Sequence, residues 1–446
     1  MKQSIIFISI LTTLLFFSCE KWLDVGDPKN AVKTSLIFED ESSLQAAVAG
    51  MYNGGNSNAL GMLSLHTSML ADDLDATIMA YDQYTTNSLE SNESTVGSLW
   101  SEVYVGIYRA NAILDGVPKA TFSDAIKNQA LGEAFFLRSF YYFYMVNLFG
   151  DVPLITGIDR KENEIMERTS VESIYKQIVE DLKTSVELLP VTYPIGKIQR
   201  TRVNKWTATA LLARVYLYLQ KYKEAEELST EVIKQNDLYS LSNDLGSIFI
   251  QGNKEDVIFA FDVSHLGYTT VGLNTVPTPG SVPSLVIHPS LLSLFENGDA
   301  RKQSWVGASA GYAFPSKYKV RGGVGNEFDV VLRLSEQYLI RAEARAYLKN
   351  LSGAKEDLNK VRQRAKLVDV EMDTKEVALS LIERERRVEY FAEWGHRWLD
   401  LKRTNRVNAV IGALKPKFWQ QTDVLYPIPS RERQLNPNLS QNEGYD

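Results

Sequence analysis

The chain has 446 residues, of which 44% are hydrophobic and 23% are charged, a composition typical of a globular protein and unlike that of disordered or collagen-like chains. Acidic residues outnumber basic residues by 55 to 48, which gives a formal net charge of −7. A large basic surface that neutralises phosphates is therefore not expected, and no nucleic-acid partner is predicted.

The first eighteen residues have the layout of an export signal. Lys2 precedes an apolar run over residues 5–17, which is too short to span the roughly 30 Å hydrocarbon core of a bilayer. Residues 16–19, Phe-Phe-Ser-Cys, resemble the lipobox of bacterial lipoproteins, with Phe16 in the place of the usual Leu. The resemblance implies cleavage before Cys19, the single cysteine, and lipidation of that residue. Residues 1–18 are predicted to be a signal peptide and 19–446 a single domain.

Most of the mature chain is predicted to be helical, because apolar residues recur at spacings of three and four over long windows. From Ala130 to Phe149 nearly every position is apolar, as is typical of a helix buried on all sides. Thr169 and Glu172 have the spacing of a capping box at the start of another helix, which Pro190 ends. Strand signals are few, so the predicted fold class is all-α.

Two segments resemble tetratricopeptide helical hairpins. The first has a large, a small, an aromatic and a small residue where that repeat requires them: Leu212, Ala213, Tyr216 and Ala225. A shift of 129 residues aligns a second copy without gaps and places Ala342 on Ala213 and Ala354 on Ala225. In the second copy Arg341 and Arg345 replace the large and the aromatic residue, which indicates degenerate repeats.

A loop-rich insertion is predicted at about residues 237–332. Its part from 263 to 332 contains nine Gly and five Pro, and loops on a rigid scaffold commonly carry binding residues. A second polar stretch with scattered aromatic residues runs from Ala71 to Trp100. Glycines 322, 323 and 325 lack the preceding strand of a dinucleotide-binding motif, so they indicate loop flexibility instead.

The sequence contains no enzymatic signature such as a zinc-protease helix, a nucleophile elbow or a Walker loop. The cluster of Asp72, Asp73 and Asp75 lacks the Gly and distal Glu of a calcium loop, so a solvated turn or helix cap is favoured. His396 and Asp400 are four residues apart on a charge-dense helix, which favours a buried imidazole satisfied by the carboxylate over a catalytic pair. No cofactor and no metal are predicted.

Short motifs follow one another in a fixed order along the whole chain. They include CEKWLD at 19–24, EAFFLR at 133–138, FGDVP at 149–153, ALLARVYL at 210–217, GDAR at 298–301, ERRVE at 385–389, GHRWLDL at 395–401 and YPIP at 426–429. This ordered set resembles the SusD/RagB family of outer-membrane nutrient-binding lipoproteins. The resemblance implies a scaffold of tetratricopeptide-like hairpins, a SusC-like TonB-dependent transporter as partner, and a lipid-anchored position on the outer membrane that faces the cell exterior.

The same resemblance implies a captured ligand, a glycan in most relatives and a peptide in some, but the family's ligand-binding loops share no motif. Candidate residues therefore come from chemistry: a sugar needs exposed Trp or Tyr rings beside Asp, Asn or Arg groups that hydrogen-bond its hydroxyls. Two stretches combine such residues: Asp73, Tyr81, Tyr84 and Asn87, and then Trp305, Tyr312 and Tyr318. Four tryptophans on helical faces are assigned to the core: Trp100, Trp206, Trp394 and Trp398.

The leading hypothesis is thus a non-catalytic glycan receptor that works with a transporter barrel. A peptide receptor of the same architecture is the first alternative. A lipid-anchored glycoside hydrolase is another, because such an enzyme needs only two suitably spaced carboxylates, which a sequence cannot pair. A helical-repeat adaptor without a small-molecule ligand is the last.

Overall fold

The computed structural model describes residues 38–52, 58–194, 200–250, 253 and 255–445, and Cys19 and the predicted signal peptide lie outside these residues. The described part is mostly helical, which confirms the predicted all-α class. Its α-helices are α1 (Glu41–Tyr52), α2 (Asn58–Leu70), α3 (Asp82–Thr85), α4 (Ser94–Gly116), α5 (Asp124–Phe149), α6 (Arg160–Asn163), α7 (Val171–Leu188), α8 (Lys205–Tyr218), α9 (Tyr222–Ile233), α10 (Thr270–Thr275), α11 (Pro289–Leu292), α12 (Ala300–Trp305), α13 (Leu334–Tyr347), α14 (Leu351–Arg364), α15 (Lys375–Tyr390), α16 (His396–Arg403), α17 (Val407–Leu414) and α18 (Ser430–Leu435).

Short strands form three antiparallel two-stranded sheets in the described residues. The strands are β1 (Leu74–Ala76), β2 (Val257–Phe261), β3 (Leu285–Ile287), β4 (Val306–Ser309), β5 (Tyr312–Pro315) and β6 (Asp329–Arg333). β1 pairs with β3, β2 with β6 and β4 with β5. Asp75 lies opposite Val286, and Phe261 lies opposite Asp329. The predicted loop-rich insertion therefore contains most of the strands, joined by loops and the short helices α10 to α12.

The long helices form an ordered array in which each packs against the next: α4, α5, α7, α8, α9, α13, α14 and α15. α5 is buried along most of its length from Ala130 onward, as its continuous apolar sequence predicts. α7 begins one residue later than predicted. Ser170, not Thr169, is its N-cap and accepts from the Ser173 amide at 3.3 Å, because the Thr169 backbone is engaged in a β-bridge with Val152.

The two predicted repeats have the same geometry. α13 begins and ends 129 residues after α8, and α14 begins 129 residues after α9. The turns between their helices contain Gln220 and Lys349, both left-handed with φ of 57° and 66°. The small residues of both copies are buried without any exposed surface, which lets the paired helices approach closely: Ala213, Ala225, Ala342 and Ala354. The tetratricopeptide-like hairpins are thus confirmed.

The arginines that break the repeat pattern have a structural reason. Arg341 and Arg345 both bind the carboxylate of Asp357 across the α13–α14 hairpin, at 2.6 and 2.9 Å. Arg345 also donates to Glu226 of α9 at 2.8 Å. An ionic contact between neighbouring hairpins therefore replaces the apolar contact that a large and an aromatic residue would make.

Buried ion pairs also join helices elsewhere in the array. They connect α5 to α7, α8 to α13 and α15 to α16, through Arg138–Asp181, Arg214–Glu336 and Arg386–Asp400, each at 2.6 to 2.7 Å. Removal of one partner of such a pair leaves an unpaired charge in the interior, which lowers stability. Three of the tryptophans assigned to the core, Trp100, Trp394 and Trp398, are buried as predicted, and Trp206 is half-buried.

Candidate functional site

A surface cleft of about 280 Å³ lies where the two stretches predicted to carry the site meet. We call it the Tyr81 cleft, and its lining residues are Ile78, Tyr81, Leu273, Asn274, Thr275, Val276, Pro277, Thr278, Ser281, Val282, Ser284 and Arg321. Antiparallel pairing of β1 with β3 brings these stretches together, since each strand leads directly into one wall. Beyond the two strands, the Thr77 amide donates a hydrogen bond to the Ser284 carbonyl at 2.9 Å, which continues the pairing as far as the cleft.

One wall of the cleft is α10, which packs closely on α2. A Cβ atom on Gly61 of α2 would lie 2.6 Å from Thr270 Oγ1, so only glycine permits this approach. Thr269 caps α10 by accepting from the Gly272 amide at 2.9 Å. The cap and the close contact together fix Leu273 and Asn274 at the cleft surface.

The opposite wall is the loop that carries Arg321. The Glu327 carboxylate accepts from the Lys319 and Val320 amides and holds the start of this loop. Arg321 then donates to Thr278 Oγ1 across the cleft. The position of Arg321 is therefore set by bonds on both sides of it.

Of the three glycines that were predicted to give loop flexibility, Gly325 serves close packing, whereas Gly322 has open space around it. Gly267 has a φ of 76°, and a Cβ there would overlap the Gly323 carbonyl oxygen. A Cβ on Gly325 would in turn lie 2.5 Å from the Gly267 carbonyl oxygen. Two loops can approach backbone to backbone only because both lack side chains at these positions.

Tyr81 is the aromatic residue of the cleft. It is half-buried, and its hydroxyl donates to Asn274 Oδ1 at 3.3 Å. The edge of its ring lies against His66, with centroids 6.3 Å apart, and His66 stacks on Tyr84 at 3.8 Å. Burial lowers the pKa of His66 to about 3, so the imidazole is neutral at physiological pH. The Tyr81 ring is thus supported by a buried, uncharged side chain.

Tyr84, Asp73 and Asn87 are buried, and the prediction that they contact ligand is corrected for all three. Tyr84 donates to Glu93 at 3.0 Å behind the cleft. Asp73 accepts from Arg387 at 2.8 Å. Asn87 donates to the Leu70 carbonyl at 3.0 Å and accepts from the Lys415 ammonium at 2.6 Å.

The Asp72–Asp75 segment is not the solvated turn that the sequence favoured, since Asp72 also pairs with Arg397, at 2.8 Å. In the described residues, no group of three or more His, Cys, Asp or Glu side chains has the arrangement of metal ligands.

Trp305 and Tyr318 are also interior residues, so the prediction is wrong for them. Trp305 has no exposed surface and donates from Nε1 to the Leu245 carbonyl at 2.9 Å. Tyr318 accepts from the Val330 amide at 3.0 Å inside the same core. Each indole or phenol buries its ring and satisfies its polar atom within the fold, so neither offers a face to a ligand.

Tyr312, in contrast, is 46% exposed and stays a candidate. It pairs with Ser309 in the β4–β5 hairpin, and Ser309 Oγ donates to the Ser281 carbonyl at 2.7 Å. This bond ties the hairpin to the rim of the Tyr81 cleft. The structure therefore places one predicted aromatic residue in the cleft and a second beside it.

A second cleft, of about 360 Å³, lies between α13, α15 and α16 and is lined by several carboxylates, among them Asp400, which the sequence made a candidate for a catalytic pair. Glu343 binds Arg403 at 2.6 Å, and Glu383 binds Arg406. Arg386 and Arg403 hold the pKa of Asp400 well below its usual range. A general acid needs a raised pKa, so an ion-paired carboxylate of this kind is poorly suited to that role.

His396 is buried as predicted, but Asp400 is committed to the two arginines instead of to the imidazole. The imidazole stacks on Tyr390 with centroids 4.5 Å apart. Burial, with the nearby Arg214, lowers its pKa well below its ordinary value. His396 is thus a neutral core residue.

The sequence prediction missed Leu273, Asn274 and Arg321. Leu273 and Asn274 stand in a segment from 269 to 284 that is rich in Thr, Ser and Pro, a signal that an aromatic search overlooks. Together with Ile78 and Val282, both about half exposed, Leu273 gives the cleft an apolar surface. Hydroxyl and amide side chains lie between these apolar residues. Such a combination can pack on the C–H faces of a sugar and form hydrogen bonds with its hydroxyl groups.

The chain matches two family models. Residues 21–217 match a model described as starch-binding associating with outer membrane, and residues 312–445 match the SusD family model. A SusD-like protein of Formosa agariphila is 27% identical over the whole of both chains. A SusD-like protein of Bacteroides ovatus is 26% identical over 90% of this chain and 82% of that one.

Solved structures share the fold. A SusD superfamily protein from Bacteroides vulgatus superposes with a TM-score of 0.80 at 22% identity, covering 92% of this chain and 100% of that one. A laminarin-binding SusD-like protein superposes with a TM-score of 0.79 at 24% identity and the same coverage. Across the described residues, no helix is both long and apolar enough to cross a bilayer.

Proposed function

The chain belongs to the SusD/RagB family, and from this premise we propose that it is a non-catalytic surface receptor that binds oligo- or polysaccharide in the Tyr81 cleft. In this proposal the bound glycan passes to a SusC-like TonB-dependent transporter. The family is associated with the outer membrane, which is where such a transporter resides.

The observation that carries the proposal is the composition of the Tyr81 cleft. The Tyr81 ring, supported by His66, lies beside exposed Ile78 and Leu273 and within hydrogen-bonding distance of Asn274. Apolar surface and a set of amide and hydroxyl groups match the two kinds of surface on a sugar ring. A structural relative that binds laminarin supports the same assignment.

The direct test is isothermal titration of the purified protein against a panel of oligosaccharides and peptides. We expect at least one oligosaccharide to bind, and Tyr81→Ala to weaken that binding about tenfold, since an aromatic contact is worth roughly 0.5–1.5 kcal/mol beyond its buried area. Tyr108→Ala is the matched control, because Tyr108 is 49% exposed but lies on α4 away from the cleft. Binding to peptides alone would overturn the sugar assignment.

The membrane anchor is a separate part of the proposal. Lipidation of Cys19 would confine the receptor to the membrane and raise the local concentration of captured ligand at the transporter. We expect Cys19→Ser to move the protein from the membrane fraction to the soluble fraction, and externally added protease to cleave the wild-type protein on intact cells. A variant that stays in the membrane fraction would contradict anchoring through Cys19.

The partner and the absence of catalysis are tested separately. Detergent-solubilised wild-type protein should copurify with a TonB-dependent transporter, and failure to do so would count against delivery. Incubation with each bound oligosaccharide should release no reducing sugar. Release of reducing ends that persists in the Tyr81→Ala variant and disappears in a Glu383→Gln variant would favour a hydrolase in the second cleft instead.

A further inference from the structure

The charge of the Tyr81 cleft is unusual for an acidic protein. Its described lining residues are aromatic, aliphatic, hydroxyl or amide side chains with a single charged residue, Arg321. Asp75 and Asp82 lie on flanking elements, but neither lines the cleft. On a chain with 55 acidic and 48 basic residues, the cleft therefore carries the opposite sign from the molecule as a whole.

Arg321 is available to a ligand. In the described residues it forms no ion pair, and its Nη1 donates to the Thr278 hydroxyl. A guanidinium has five N–H groups in a planar fork, so donors remain after this one bond. The arginines of α15 and α16 differ, since Arg386, Arg387 and Arg397 are buried against carboxylates.

The cleft also supplies more donors than strong acceptors. Sugar hydroxyls are both donors and acceptors, and an ionised carboxylate is the strongest side-chain acceptor for them. Here the acceptors are the Asn274 amide, hydroxyl groups and backbone carbonyls, and no carboxylate is present among the described lining residues. A ligand that brings its own anionic acceptor complements this set better than a neutral one.

From this charge pattern we propose that the preferred ligand of the Tyr81 cleft is an acidic saccharide, with Arg321 binding a carboxylate or sulfate group on the sugar while Tyr81 contacts the ring. The inference rests on the proposed function and names its substrate class. Arg321 is positioned for this role by the loop contacts around Gly267 and Gly323, which fix the backbone on its C-terminal side. Because Arg321 is exposed, its contribution is moderate and depends on salt, as reversible delivery requires.

The test is titration with matched saccharides that share one backbone and differ in a single substituent, which is neutral in one member and anionic in the other. A β-1,3-glucan hexamer is compared with its C6-oxidised uronate form and its 6-sulfated form, and a methyl-esterified galacturonan hexamer with its de-esterified form. We expect an acidic member to bind about fivefold more tightly than its neutral counterpart at low salt, in line with one solvent-exposed ion pair. The sulfated and uronate forms show which anion the cleft prefers.

Variants assign the effect to the side chain. Arg321→Gln should remove the preference for the acidic member and its dependence on salt, while Arg321→Lys should retain part of both. Arg431→Gln is the control, because Arg431 is an exposed arginine on α18 that forms no ion pair in the described residues. Circular dichroism of each variant confirms folding.

The outcomes separate the two proposals. Equal or tighter binding of the neutral member in every pair, unchanged by Arg321→Gln but lost in Tyr81→Ala, overturns the acidic-ligand inference and leaves the glycan receptor standing. Acidic binding that Arg321→Gln does not change overturns the role of Arg321. If none of the saccharides binds, both the acidic-ligand inference and the proposed glycan receptor are overturned.

Discussion

The Arg387 guanidinium donates to Asp73 Oδ1 over 2.8 Å and joins residues that are 314 positions apart in the chain. Both side chains are buried. The bond connects the segment that enters the Tyr81 cleft to α15, and the neighbouring Arg397–Asp72 pair repeats the connection from α16. Asp72 and Asp73, which resemble a binding cluster in the sequence, thus connect the cleft to the helical scaffold through buried ion pairs.

We expect Asp73→Ala to lower the free energy of unfolding by about 2–3 kcal/mol, because the buried Arg387 loses one carboxylate and keeps only Asp72, at 3.1 Å. Arg387→Met should cost less in the Asp73→Ala background than in the wild type, and urea denaturation of the four proteins measures this coupling. A loss below about 1 kcal/mol for Asp73→Ala would show that Arg387 is satisfied by other groups.

Trp305 is predicted to matter for stability and not for ligand contact. Trp305→Ala should cost about 3–5 kcal/mol of unfolding free energy, and Trp305→Phe less, chiefly through the loss of the indole donor to Leu245. Urea denaturation and titration with the bound saccharide distinguish the two roles. Weakened binding by Trp305→Phe at unchanged stability would restore Trp305 as a ligand residue.

His66 makes stability depend on pH. Its pKa is lowered by burial from 6.5 to about 3, so between these values the unfolded chain binds a proton that the folded protein does not. Above pH 6.5 His66 does not affect the free energy of unfolding. Below that pH, the free energy of unfolding decreases by up to about 1.4 kcal/mol per pH unit because the unfolded chain binds the proton. We expect His66→Phe to flatten the pH dependence of unfolding between pH 6 and about 4. Parallel curves for the two proteins would contradict a buried neutral imidazole.

Gly267 and Gly322 form a matched pair for testing the loop contact that positions Arg321. Gly267→Ala places a Cβ on a left-handed residue against the Gly323 carbonyl, whereas Gly322 has open space around it and no positive φ. Gly267→Ala should therefore lower the melting temperature and weaken saccharide binding severalfold, and Gly322→Ala should change neither appreciably. Equal effects in both variants, measured by thermal unfolding and titration, would indicate that the loop contact is not specific.

The helical framework was predictable because its signals are local. Ala213 and Ala342 could be aligned from sequence alone, since the 129-residue shift and the small residues at helix contacts are written in consecutive turns. The aromatic residues of the insertion were not predictable in the same way. Trp305 and Tyr318 stand among Gly and Pro, yet each is buried by partners far along the chain, such as Leu245.

The cleft was predicted only in outline for a related reason. Tyr81 and Arg321 are 240 positions apart, and strand pairing such as β1 with β3 decides which loops meet. A sequence shows that Asp73 and Tyr81 are polar or aromatic, but not that the first turns inward to Arg387 while the second faces the cleft. Burial of polar residues depends on long-range partners, which no local pattern contains.

The cleft draws its walls from three short segments, around residues 78–81, 273–284 and 321, whereas the helical hairpins are secured by ion pairs of their own, such as Arg214–Glu336. The walls of the cleft and the helical hairpins are therefore held by different contacts. Exchange of these three segments for those of another family member is expected to alter the ligand preference of the proposed receptor while the ion pairs between the hairpins stay in place.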